Sequence, residues 1–233
     1  KLQTATTVFY LTDNNPDDVS LENVIRQCIN LIAKMPTVVA YSYQAKQYKH
    51  NNKSLFIHKP RKDLTLAENF LYLLREDKEF TDLEAQILDL MMVLHADHSG
   101  GNNSTFTTHL VSSSHTDTYS AIVAAIGSLK GPLHGGANLK CAKMMDNIKK
   151  DVTNIDQDDK ILDYLIEILK GKAGDGSGKI WGMGHAVYTL SDPRAVLLKQ
   201  KAKKLAKQKD RMEEFNLYDR VERLTIEALA DFK

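Results

Sequence analysis

Three short stretches carry the residues whose types and spacing could do chemistry, and each sets a histidine beside glycine or beside a helix start. In LHADHSGGNNSTFTTHL, residues 94–110, His95 and His98 stand one helical turn apart at the end of an apolar run. Gly100 and Gly101 then break the helix, so that Asn102, Asn103 and Ser104 turn toward a cleft. Histidines at this spacing can share a metal ion, but no acidic or thiol third ligand lies at a useful local spacing, and no metal is expected. A histidine that merely caps the helix is the plain alternative.

In GPLHGGAN, residues 131–138, Pro132 and the paired glycines bracket His134 at the expected start of a helix. The positive end of the helix dipole disfavours imidazolium there, and a neutral ring still donates a hydrogen bond. Ordinary turn chemistry also explains a GP followed by GG. The third stretch, GDGSGKIWGMGHAVYTLSDPRA, residues 174–195, has glycines that fit neither a phosphate-binding P-loop nor a dinucleotide-binding turn. His185 follows Gly184, and Asp192 and Pro193 read as N-cap and first helical residue. Arg194 then falls in the first helical turn, where a cation opposes the dipole unless an anion compensates; a bound carboxylate would do so.

The elements that must position these groups are helical. Apolar residues recur at three and four, and the pattern predicts an all-α class. Ser20 caps a helix over Leu21 to Ile32 that Pro36 interrupts or kinks, with the apolar TVVAYSY directly behind it. Residues 44–62 are polar and basic and read as a solvated loop. Helical spacing resumes over 65–75. Thr81 and Glu84 form a capping box for a helix to His95 that is apolar nearly all round, as a central helix would be. Further helices are predicted over 104–112, 117–129, 134–149, 158–170, 193–208 and 217–232, and KIWGMGHAVY is the only segment that could be a strand.

The 233 residues suffice for one large or two modest domains, and 42% hydrophobic residues supports a buried core. With 31 lysines and arginines against 30 acidic residues, the formal charge of +1 gives no reason to invoke nucleic acid or an anionic membrane. No apolar run reaches the roughly 18 to 20 residues that span a bilayer. Cys28 and Cys141 sit in apolar helical patterns without regular spacing, which fits free thiols in a reducing, cytoplasmic setting. The chain opens at Lys1 inside what reads as an element, so an internal piece of a longer protein is expected.

Taken together and in order, LHADHSGGNNST, GPLHGGAN and GHAVYTLSDPRA resemble the citrate synthase family, and LIAKMPTVVAYSY and DLTLAENFLYLL resemble its segments upstream. The resemblance covers essentially the whole chain. It implies a two-domain helical fold, with residues 1–135 from the large domain, 136–233 from the small domain and the cleft between them. It also implies condensation of acetyl-CoA with oxaloacetate, both as substrates, with no separate cofactor and a homodimeric enzyme. His134 would hydrogen-bond the thioester oxygen and stabilise the enol. His185 would polarise the oxaloacetate carbonyl, His98 and Arg194 would bind its carboxylates, and Asn102 and Ser104 would line the cleft.

Two departures stand out. The family's aspartate base lies in a PNVD-like segment expected beyond Lys233, and Asp231 lacks that context, so the chain alone is expected to be inactive. Thr189 occupies a place where relatives carry a cation for a CoA phosphate; the lysine-rich 199–209 helix could replace it, although a solvated face is the simpler reading. A 2-methylcitrate synthase, or a non-catalytic helical binding module derived from the enzyme, are the competing readings.

Overall fold

A computed structural model describes residues 1–97, 99–184, 188 and 191–232. Among these the chain is helical with no strand, as its periodicity predicts. Its contacts divide it into two compact units, Lys1–Gly131 and Pro132–Lys233.

The first unit holds α1 (Leu2–Thr12), α2 (Leu21–Asn51), α3 (Leu66–Leu74), α4 (Asp82–Leu94), α5 (Asn103–Ser112) and α6 (Thr118–Lys130). α6 packs against α5 and α1, while α2 packs against α3 and α3 against α4. Leu31, Ala40, Leu71, Leu73, Tyr119 and Ala121 are buried. Pro36 does not divide α2 as its type suggests. The helix runs on because Ala40 and Gln44 are buried beyond it, and the Gln44 amide donates to Leu74 O at 2.7 Å, fixing the second half on α3. The lost backbone donor at Pro36 is offset by that packing.

α2 therefore ends at Asn51, with Asn52 in the left-handed region, and the loop begins later than expected. That loop is also tethered: Tyr41 donates to His58 O at 2.6 Å, and His58 Nε2 lies 3.0 Å from Arg75 O. α4 is the larger correction. Its capping box is present, but only Ala85 is buried and Met91 and Val93 are exposed, so it is not central to its unit.

The second unit holds α7 (Ala137–Asp151), α8 (Asp158–Leu169), α9 (Pro193–Gln208) and α10 (Met212–Phe232). Its core is one cluster, with Met145 and Ile148 of α7, Ile161 and Leu165 of α8, and Val221 and Leu224 of α10. α10 begins at Met212, a full turn ahead of its sequence signal. KIWGMGHAVY is no strand among its described residues: Gly182 and Gly184 have φ of 86° and 79°, outside the extended region.

Candidate functional site

The GPLHGGAN segment forms a turn, and α7 starts at Ala137 with Gly136 as N-cap. His134 therefore stands in the turn, half-buried, and not in the first helical turn as predicted. The cause is local. A Cβ on Gly136 would fall 2.3 Å from Pro132 O, so the chain folds back tightly on itself here, and only glycine allows it. Gly136 thus sets the close bend that carries His134.

Asp192 caps α9 as predicted, accepting from Arg194 N at 2.9 Å, with Pro193 opening the helix. The anion that compensates Arg194 is this same carboxylate. Arg194 Nε lies 3.1 Å from Asp192 Oδ1 and Nη2 2.7 Å from Oδ2, and the pairing raises the guanidinium pKa above its ordinary value. A substrate carboxylate would meet an arginine already oriented from one side.

Asn102 and Ser104 come together at the start of α5. The Asn102 side chain accepts from Ser104 N at 2.9 Å and Thr105 N at 3.2 Å, capping the helix. The Ser104 hydroxyl donates to Ala125 O at 3.1 Å, tying α5 to α6. Both side chains thus have structural partners in the first unit, while His134 and Arg194 belong to the second. His95 Nδ1 lies 2.6 Å from Met91 O, the capping role of the plain alternative. His98, His185 and Thr189 lie outside the described residues.

A cluster that the sequence did not single out surrounds Trp181. Lys140 Nζ stands 4.1 Å and Lys179 Nζ 5.7 Å from its ring centroid, and the indole donates to Asp175 Oδ2 at 2.9 Å. Asp175 is held below the usual carboxylate range by Ser177 first and by Trp181 and Lys140 in support. A cavity of about 360 Å3 adjoins this cluster and includes Lys143. Lys179 beside Trp181 was visible in the sequence; Lys140, on α7, was not. On α9, Lys199 is paired with Asp219 and Glu222, which removes one of the lysines considered for phosphate binding.

The fold is that of an all-helical enzyme class already known in crystals. Citrate synthase from Pyrobaculum aerophilum matches with a TM-score of 0.71 at 30% identity, over 96% of this chain and 53% of that one. A citrate synthase from Thermoplasma acidophilum, solved with carboxymethyl coenzyme A and oxaloacetate, matches in fold with a TM-score of 0.71 at 24% identity, covering 99% of this chain and 55% of that one. A family model, "Citrate synthase, C-terminal domain", matches residues 1–233, and the chain belongs to the citrate synthase family. The citrate synthase of Deinococcus radiodurans is 36% identical over 228 residues, 98% of this chain and 55% of the relative. The chain thus spans about half the length of these relatives.

Proposed function

We propose that the protein to which this chain belongs condenses acetyl-CoA with oxaloacetate to give citrate and free CoA. The observation that carries the reading is that one family model matches all 233 residues, including GPLHGGAN and the SDPRA start of α9. In this reading His134 donates to the thioester oxygen as the methyl group loses a proton, and the enol carbon then bonds to the oxaloacetate carbonyl carbon. His185 donates to the oxygen that becomes the alkoxide, while His98 and Arg194 hold carboxylates. Water then cleaves the thioester and releases the CoA thiol. In this reading an aspartate carboxylate takes the methyl proton.

Lys140 and Lys179, gathered at Trp181, stand in for the cation that Thr189 does not supply and meet CoA phosphates. The exposed Phe106 and Leu110 on α5 support pairing of two copies through the first unit. Free cysteines support a reducing, cytoplasmic setting, and among the described residues no helix is long and apolar enough to cross a membrane.

The test is CoA release with oxaloacetate by a polypeptide of the relatives' full length, comparing acetyl-CoA with propionyl-CoA. Preference for acetyl-CoA is expected. A propionyl-CoA preference would replace the assignment with 2-methylcitrate synthesis, and no release from a folded dimer would favour a non-catalytic binding module.

A further inference from the structure

The second unit contains an apolar cavity of about 620 Å3 between α7, α9, α10 and the segment at Trp181. That volume lies within the roughly 300–1,000 Å3 of small-molecule sites. α9 turns Ala195, Ala202 and Ala206 toward it beside Leu198 and Leu205, and the alanines leave space that larger side chains would fill. At Gly182 the backbone comes close to α7: its φ is 86°, and a Cβ there would fall 2.9 Å from Cys141 Sγ.

The remaining walls carry an unusual share of soft groups, among them Cys141, Met144, Met183, Trp181 and Phe215. Thioethers and thiols make favourable contacts with aromatic rings, and the flexible methionines adapt to a ligand's outline. Burial pushes the Cys141 thiol up, which keeps it uncharged at neutral pH. The rim is charged but engaged. Lys199 pairs with Asp219 and Glu222, Glu214 pairs with Lys149 and Arg211, and Lys209 also has a partner. A ligand with a charged end would have to compete with these pairs, whereas an uncharged one displaces only water from apolar walls.

We propose that this cavity is a binding site for an uncharged aromatic molecule of about three rings, seated among the sulfur and ring side chains between α7, α9 and α10. Such binding needs neither substrate of the proposed condensation, so it stands or falls separately from that reading.

Trp181 is the single tryptophan of the chain and lines the cavity, which supplies a direct readout. The uncharged dye N-phenylnaphthylamine, titrated into the 233-residue chain, should show saturable energy transfer from Trp181 at one dye per chain. Its sulfonated analogue, anilinonaphthalene sulfonate, should bind at least about tenfold more weakly. Ala202→Phe and Ala206→Leu, which fill the cavity from α9, should each weaken the dye by about tenfold or more while circular dichroism and the unfolding midpoint hold or rise. Absence of saturable transfer overturns the proposal. So does dye binding that both filled variants leave intact, or equal or tighter binding of the sulfonate; if one filled variant does not fold, the other and the two-dye comparison still decide.

Discussion

Asp13 shows how one buried charge can hold a unit of this size together. Its side chain is 3% exposed and accepts from Tyr119 on α6 at 2.5 Å, from Arg26 on α2 at 2.7 Å and from the backbone of Asn15 at 3.0 Å. The Tyr119 hydroxyl, with Arg26 and Asn15 in support, holds the carboxyl well below the usual range against the opposing effect of burial. A depressed carboxyl stabilises the fold fully above the unfolded value of about 3.9, and that contribution is lost as pH falls below it. Asp13→Asn should therefore lower stability at neutral pH, and its difference from the parent should shrink in urea titrations below that value. Tyr119 is the complement: burial, then Asp13, pushes its hydroxyl up to about 12. Its contribution is present below 10.0, the ordinary value, and is lost as pH rises through about 12. Tyr119→Phe should cost about 1.5–3 kcal/mol at neutral pH and flatten that alkaline loss, read by the same titrations. None of this cluster was legible beforehand, because the three elements meet only in the folded chain.

Among the helices, legibility follows the range of the interaction. Caps are local, and Ser20, Thr81 and Asp192 announced their helices correctly from neighbouring residue types. Where tertiary packing competes with a local signal, the signal fails. Pro36 does not end α2 because Gln44 bonds across to Leu74, and α7 starts late because Gly136 must approach Pro132. Glu84 joins both ranges. It closes the capping box on Thr81 N at 2.7 Å and pairs with Arg75 at 2.8 Å, at the end of α3. Thr81→Ala should cost about 1 kcal/mol in unfolding experiments. Glu84→Ala should cost more, since it removes the cap and leaves Arg75 without this partner. Gly136→Ala should also destabilise the second unit and reduce turnover, because the bend that carries His134 cannot accept the methyl group; wild-type turnover in this variant would contradict that role for the bend.

At the scale of the whole molecule, the sequence motifs named the family, and the family model matches from end to end. The lysine pair at Trp181 was not legible, because Lys140 reaches Trp181 only through the packing of α7 beside the 171–184 loop. The exposed apolar side chains of α5 and the alanine face of α9 likewise acquire meaning only once their helices are placed. The central claim rests on His134 acting on the thioester oxygen, and its most direct measurement is turnover of the His134→Ala variant. In a polypeptide of the relatives' full length, followed by CoA release from acetyl-CoA and oxaloacetate, kcat should fall by about 100-fold or more with circular dichroism unchanged. A kcat within a few-fold of the parent would contradict the account.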